Sequence, residues 1–265
     1  QSPTEQPFFL YFALTAPHKP VLPHARFRGA TELGDYGDFV AQVDSVVGQV
    51  VDAIAAIGAA DDTLLMFTSD NGSFMYRSDD TAAADHVDDA AIQAYRADRH
   101  RSNGPLRGTK ADIWEAGHRV PFFAVWPRRI APTSSCEETI CLTDVLATAA
   151  EIVAAPLGAH VAEDSYSFLP LLDGRNDQWN RPPVVHHSGS GMFAIRDAGW
   201  KLVAGNGSGG RERPKGTPFG EPYQLYDLAA DLSETNDLSR HRADVVEQLS
   251  SKLDQIRSSG RSVSR

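Results

Sequence analysis

The most constraining feature of the sequence is a long helical pattern that lies between two short apolar runs. From Asp35 onward apolar side chains recur at helical spacing, and Gly58 ends the pattern. The runs Phe8 to Leu14 and Thr63 to Thr68 flank it, and each is bounded by turn-forming residues. Short apolar runs of this kind are typical of buried strands. Strand, helix and strand in this order predict a βαβ unit, and therefore a parallel sheet covered by helices.

The rest of the chain divides into an α/β part and a part with shorter elements. A further buried strand is predicted at Val120 to Trp126 and a helix at Thr139 to Val153. Residues 73–104 are predicted to form a long polar excursion with one helix at about residues 82–99. We therefore expect an α/β fold over residues 1–175, formed by a sheet with helices on its faces.

Beyond about residue 173, short strand-like runs alternate with turns rich in glycine and proline, and an amphipathic helix from about Ala243 to Ile256 follows them. This pattern predicts a small antiparallel α+β subdomain over residues 176–265. The segment Gly205 to Gly210 is expected to be a flexible hairpin loop. The predicted strands are Val184 to His186, Met192 to Ile195, Trp200 to Val203 and Tyr223 to Leu228.

The composition excludes several classes of partner. The net charge of −10, from 25 basic and 35 acidic residues, argues against nucleic acid and against an anionic membrane surface. An anionic substrate would therefore need a locally positive pocket. No apolar run approaches the ~20 residues of a membrane span. The two cysteines, Cys136 and Cys141, fit no common zinc spacing and are predicted to be free thiols.

Two polar segments directly follow predicted strands, where ligands bind in open α/β sheets. His18 lies between Pro17 and Pro20, whose stiff backbone would preorganise it; the alternative is a surface-loop histidine. Asp70 and Asn71 follow the second run and offer the hard oxygen donors that calcium or magnesium takes. The alternative for this pair is a turn or a helix cap.

A third polar segment contains Lys110, which follows a glycine turn at Gly108 and could contact an anion. The alternative is a solvated lysine. Glu115 and Arg119 are four residues apart and could form an ion pair that supports the segment. Taken together, the three segments predict a site for a hard cation and an anion at one sheet edge. Such a site fits hydrolysis of a phosphate or sulfate ester.

The same segments closely resemble the sulfatase family of the alkaline phosphatase superfamily, and the resemblance covers nearly the whole chain. It implies that the fold is part of an alkaline-phosphatase-like sheet sandwiched by helices, followed by a small C-terminal α+β subdomain. The order and spacing of the motifs are more specific than any one of them. The main matching motifs are Ala16-Pro17-His18, Thr68-Ser69-Asp70-Asn71-Gly72, Gly108-Thr109-Lys110, Trp114-Glu115-Ala116-Gly117-His118-Arg119-Val120-Pro121 and Gln224-Leu225-Tyr226-Asp227-Leu228.

The resemblance implies a role for each matching residue. Asp70 and Asn71 would be two ligands of a calcium ion, with magnesium as the alternative. His18 and Lys110 would contact the sulfate group, and Lys110 would offset its negative charge. His186 would border the substrate pocket, although a histidine at the edge of the core is the competing interpretation.

Glu115 and Arg119 would then be supporting residues. The family's usual substrates imply a sulfated small molecule or a sulfated polysaccharide as the partner, and its usual location implies a periplasmic or secreted protein. The sequence carries no readable signal for the leaving group of the substrate or for the oligomeric state.

The sequence departs from the family at the nucleophile. Sulfatases use a formylglycine made within a C/S-x-P-x-R segment, and neither Cys136 nor Cys141 lies in one. We expect the formylglycine in an upstream segment, together with the family's early paired aspartates. The isolated chain is therefore expected to be inactive, while the full-length parent would hydrolyse sulfate esters. The alternatives are a phosphodiesterase or phosphonate hydrolase of the same superfamily, and a non-catalytic sulfatase-like module.

Overall fold

A computed structural model describes residues 6–74 and 100–263, and the chain forms two compact units. The first unit comprises residues 1–105 and 121–128, and the second comprises residues 106–120 and 129–265. The helix expected at residues 82–99 lies outside the described residues. The domain boundary expected near residue 175 stays a prediction.

The first unit contains one long helix and a two-stranded sheet. Helix α1 spans Gly34–Ala56, strand β1 spans Leu65–Thr68 and strand β2 spans Phe122–Val125. The strands are antiparallel, with Leu65 opposite Val125 and Thr68 opposite Phe122. Short 3-10 helices at Ala25–Phe27 and Ala60–Asp62 precede and follow α1. The predicted helix and the two predicted strands at these positions are confirmed.

The expected parallel βαβ unit is wrong. Within the described residues, 8–14 belong to no strand, and most of their side chains are exposed, with Phe9 at 78% and Tyr11 at 83%. β1 instead pairs with β2, in the antiparallel direction. An extended segment becomes a strand only where a neighbour accepts and donates its backbone hydrogen bonds. Apolar patterning detects the segment, but it contains no information about that neighbour.

Helix α1 is long and apolar enough, by length and composition alone, to cross a membrane. One such helix is weak evidence, because a core helix of a soluble protein passes the same test. The N-terminal half of α1 buries Tyr36, Phe39 and Val43, and the first two pack with Phe74. The helix also carries four aspartates, Asp35, Asp38, Asp44 and Asp52.

The second unit is built on a four-stranded antiparallel sheet. Its strands run in the order β3 (Val184–His187), β4 (Phe193–Asp197), β5 (Trp200–Ala204) and β6 (Gln224–Asp227). The helices of this unit are α2 (Glu115–His118), α3 (Asp144–Ile152), α4 (Leu169–Leu172) and α5 (Ala243–Ser259). The four strands and the last helix predicted from the sequence are confirmed.

Strand alternation gives this sheet two apolar faces, and each is covered by a different segment. Ile195, Leu202 and Leu225 pack against α5 through Leu249 and Leu253. On the opposite face, Ala194, Val203 and Tyr226 pack with Ile113 and Trp114. The segment that carries Lys110 is therefore anchored to the sheet by its own apolar residues.

The segment Gly205 to Gly210 is not the flexible hairpin loop that the sequence suggested. It follows β5 and is largely buried, with the Ser208 side chain fully enclosed. A Cβ atom at Gly207 would lie 2.4 Å from the Pro214 carbonyl oxygen. Glycine is needed here for close backbone packing, a requirement that composition does not distinguish from flexibility.

A buried ionic cluster joins α2 to the sheet. The Lys201 ammonium lies 3.1 Å from Glu115 Oε1 and 2.9 Å from Glu234 Oε1, and all three side chains are buried. Glu234 Oε2 also accepts a hydrogen bond from the Glu115 backbone N–H at 2.6 Å. Burial opposes ionisation of Glu115, but the cations around it lower its pKa below the ordinary value. Burial raises the pKa of Glu234, and Lys201 offsets only part of that effect.

We predict that Lys201→Met destabilises the second unit far more than Lys252→Met does. Lys201 is 0% exposed, so its removal takes a buried cation away from two buried carboxylates, at a cost of about 3–5 kcal/mol. Lys252, which pairs with Asp197, is 39% exposed, and its loss should cost at most about 1 kcal/mol. Urea unfolding followed by circular dichroism measures both values. Equal losses would contradict a structural role for the cluster.

Candidate functional site

The first unit holds Asp70 and Asn71 in the turn that follows β1. Thr68, the last residue of the strand, donates its hydroxyl to the Pro121 carbonyl oxygen at 2.9 Å. The Ser69 hydroxyl donates to the Asn71 carbonyl oxygen at 3.0 Å, and Asn71 Nδ2 donates to the Gly72 carbonyl oxygen at 3.0 Å. These bonds close the turn and engage the amide nitrogen of Asn71 with the backbone, while Asp70 is exposed.

The same turn continues into Phe74, which brings His18 to it. Phe74 is buried with Val21, Tyr36 and Phe39, and the ring of His18 lies 5.5 Å from the Phe74 ring. Nδ1 of His18 is 2.8 Å from the Lys19 carbonyl oxygen, which favours the tautomer that carries its proton on Nδ1. His18, predicted from one loop, therefore lies beside the segment that carries Asp70 and Asn71.

The donor set of this turn suits a hard cation but does not complete a site. Asp70 contributes a carboxylate and Asn71 an amide oxygen, both of which calcium and magnesium accept. Calcium takes about six to eight oxygen ligands. Among the residues that the structure describes, no group of three or more His, Cys, Asp and Glu could hold a metal ion. The turn fits part of a calcium shell, and the remaining ligands would have to come from elsewhere.

The second unit holds Lys110 in a tight turn. The residues around it adopt left-handed backbone conformations, with φ of +87° at Gly108 and +80° at Ala111. The Thr109 N–H donates to Asp112 Oδ2 at 2.8 Å, and the Asp112 N–H donates to the Thr109 carbonyl oxygen at 3.0 Å. Sequence reasoning did not identify Asp112 as a site residue. Its only signal in the sequence is its position, two residues after Lys110.

The predicted ion pair between Glu115 and Arg119 is confirmed at 3.7 Å. Arg119 is only one of its partners, because Glu115 also contacts Lys201 at 3.1 Å and Arg196 at 3.3 Å. Arg196 and Lys201 lie on β4 and β5, far from Glu115 in the sequence. Helical spacing therefore found the local partner and missed the two that connect α2 to the sheet.

His186 lies against a second histidine, His118, at the C-terminal end of α2. The ring centroids are 4.3 Å apart, and neither Nε2 meets a hydrogen-bond partner within the described part of the chain. Burial and the nearby Lys201 ammonium lower the pKa of His118 to about 4, against a smaller opposing effect of Glu115. Burial also lowers the pKa of His186 well below the ordinary value. The role expected for His186 at a substrate pocket stays a prediction.

We predict that this histidine pair makes the protein less stable in mild acid. Both rings have a lower pKa in the folded chain than in the unfolded chain. As the pH falls below about 6.5, the unfolded chain therefore binds protons at these rings that the folded chain does not, and the free energy of unfolding decreases. Between about pH 7.5 and about pH 5 the contribution of His118 should fall by about 2 kcal/mol.

The measurement compares urea unfolding of the unmodified protein, His118→Gln and His160→Gln at the two pH values. His160 is exposed and serves as the control. The His118 variant should lose less stability on acidification than the other two proteins. An identical pH dependence in all three would show that His118 is not buried in its neutral form.

Comparison with known proteins gives a consistent result. The family model described as Sulfatase matches residues 1–155. An N-acetylgalactosamine-6-O-sulfatase of Bacteroides thetaiotaomicron is 32% identical over 255 residues, which cover 96% of this chain and 48% of that protein. Human steryl-sulfatase is 31% identical over 197 residues, which cover 74% of this chain and 31% of that protein. The chain thus spans at most about half the length of these relatives.

Solved structures agree with the sequence comparison. A sulfatase structure from work on glycosaminoglycan metabolism by Bacteroides thetaiotaomicron has a TM-score of 0.81 and 31% identity, over 96% of this chain and 51% of that one. A phosphonate monoester hydrolase of Agrobacterium radiobacter has a TM-score of 0.57 and 20% identity, over 85% of this chain and 41% of that one, and this likeness concerns the fold alone. The predicted fold class, an α/β fold that is part of an alkaline-phosphatase-like fold, is confirmed, and the sheets of the described residues are antiparallel.

Proposed function

The chain belongs to the sulfatase family, and we propose that it supplies the metal-binding and sulfate-binding part of an enzyme that hydrolyses sulfate esters. The observation that carries the proposal is the contact between His18 and Phe74, 5.5 Å between ring centroids. This contact brings a histidine from one loop to the turn that carries Asp70 and Asn71. The same elements, matched to the family motifs, favour a sulfatase site over a surface loop and an ordinary turn.

Each residue has a distinct role in this proposal. Asp70 and Asn71 would hold calcium through their side-chain oxygens, and the ion would supply positive charge next to the sulfate oxygens. His18 would contact the sulfate group. Lys110 would offset the negative charge that the sulfate brings into a protein of net charge −10. The nucleophile has no candidate among these 265 residues, and we assign it to a segment of the parent protein outside them.

For the substrate we propose a sulfated sugar, either free or within a polysaccharide. The support is the N-acetylgalactosamine-6-O-sulfatase that aligns with 96% of the chain at 32% identity. The likeness to a phosphonate monoester hydrolase is a likeness of fold, and no residue contact described above favours phosphonate over sulfate.

We predict that the isolated chain shows no sulfatase turnover, whereas the protein expressed from the complete reading frame that contains it does. Without a nucleophile the chain can bind and orient a sulfate ester but cannot cleave it. Both proteins are assayed with a chromogenic aryl sulfate, a 6-sulfated N-acetylgalactosamine and a phenylphosphonate ester, with and without calcium. Turnover by the isolated chain would overturn the proposal, and a clear preference for the phosphonate would replace it with the alternative activity.

We also predict that Asp70→Ala in the complete protein lowers kcat/KM by at least about a hundredfold. Replacing an outer-shell residue of a metal site already costs about 10–100-fold, and a direct ligand should cost no less. Asp61→Ala is the matched control, because Asp61 is an exposed aspartate that precedes β1 as Asp70 follows it. Chelation followed by addition of calcium or magnesium identifies the ion. Equal kcat/KM values in the two variants would remove Asp70 from the metal site.

A further inference from the structure

We propose that Asp112 is a positioning residue that fixes the backbone of Lys110, and hence the place where its ammonium group meets the sulfate. This inference rests on the proposed function of Lys110 as a sulfate contact. Asp112 is fully buried, and its two carboxylate oxygens bind different parts of the second unit. One oxygen holds the lysine turn, and the other holds a distant loop.

The first oxygen closes the turn around Lys110. Oδ2 of Asp112 accepts the Thr109 N–H at 2.8 Å and the Thr109 hydroxyl at 3.2 Å. In the opposite direction the Asp112 N–H donates to the Thr109 carbonyl oxygen at 3.0 Å. Lys110 and Ala111 lie between the two bonded residues, so the carboxylate fixes both ends of the short stretch that carries the lysine.

The second oxygen connects this turn to the loop that follows β5. Oδ1 of Asp112 accepts the backbone N–H of Arg211 at 2.5 Å and that of Glu212 at 3.1 Å. The approach leaves no space for a side chain, because a Cβ atom at Gly210 would lie 2.5 Å from the same oxygen. The Ala111 carbonyl oxygen accepts the Gly189 N–H at 2.9 Å, which adds a third segment. The turn is thus fixed from two sides by backbone that is remote in the sequence.

The turn needs this support because its conformation is unfavourable. Ala111 has φ of +80°, and a non-glycine residue in this region costs about 1–3 kcal/mol unless its surroundings hold it there. Lysine reaches its ligand through a flexible four-carbon stem, so the position of its backbone limits where the ammonium can lie. If the carboxylate is lost, Ala111 can relax and move Lys110. A displacement of about 1 Å at a catalytic group can lower the rate by about a hundredfold.

The test measures kcat/KM for a chromogenic aryl sulfate, and inhibition by inorganic sulfate, in the complete protein. Asp112→Asn keeps the shape of the side chain but replaces one acceptor oxygen with a donor. We expect kcat/KM to fall by about 10–100-fold and sulfate to inhibit correspondingly less well.

The matched control is Asp144→Asn. Asp144 is equally buried and also accepts two backbone N–H groups, but it pairs with Arg181 and does not contact the lysine turn. The folded fraction of the Asp144→Asn protein should have a kcat/KM within about twofold of the unmodified protein.

A double-mutant cycle separates positioning from a general structural effect. If Asp112 acts through Lys110, then Asp112→Asn should have almost no further effect on kcat/KM in a Lys110→Met background. Additive losses would overturn the inference. If Lys110→Met alone leaves kcat/KM unchanged, the role proposed for Lys110 fails first, and the two failures are therefore distinguishable.

A second variant keeps the inference testable if Asp112→Asn does not fold. Thr109→Val removes the hydroxyl bond to Asp112, together with a longer bond from the same hydroxyl to the Lys110 carbonyl oxygen at 3.5 Å, and preserves the volume of a buried side chain. It should lower kcat/KM several-fold and should also lose its effect in the Lys110→Met background. A change of less than about twofold in a folded Thr109→Val protein would contradict the proposed positioning role.

Discussion

The second unit depends on one buried cation, the ammonium of Lys201 between Glu115 and Glu234. Burying a charge is costly unless it is paired, and here one lysine satisfies carboxylates from two segments that lie 119 residues apart. Because Lys201 is in the middle of the sheet, the cluster fixes α2 to β5 and the loop of Glu234 to both. A hydrophobic cluster could supply similar stability, but ion pairs and hydrogen bonds also specify the register and direction of the segments they join.

The elements of this unit could be predicted from the sequence because their patterns are local. The four strands of the antiparallel sheet are short strand-like runs between turns rich in glycine and proline, and α5 has an apolar stripe that ends at Gly260, which has a φ of +67°. In the first unit the same reasoning found α1 and β1, but it assigned the wrong neighbour to β1. Pairing direction depends on which backbone lies alongside, and in this chain the neighbour of β1 follows it by more than 50 residues.

The site could be predicted only to the level of its motif residues. Composition and turn chemistry selected His18, Asp70, Asn71 and Lys110, and the resemblance to sulfatases gave them roles. The structure added contacts that no spacing rule contains. The packing of His18 on Phe74 depends on the fold of the loop before α1, and the bonds of Asp112 join it to residues 99 and 100 positions later in the chain. Aspartate in a turn is also ordinary, so its residue type alone does not mark it as functional.

The pairing of charges explains why a count of basic residues does not locate an anion site in this protein. Arg119, Arg196 and Lys201 all lie near the sulfatase motif, and by number alone they would suggest a cationic pocket. All three contact the carboxylate of Glu115, so their charge is used within the protein. The turn that carries Lys110 is organised in another way, because Asp112 binds it through backbone N–H groups and a hydroxyl, all of them neutral donors. The motif therefore contains two carboxylates with different tasks, one that neutralises cations and one that orders the backbone around a single lysine.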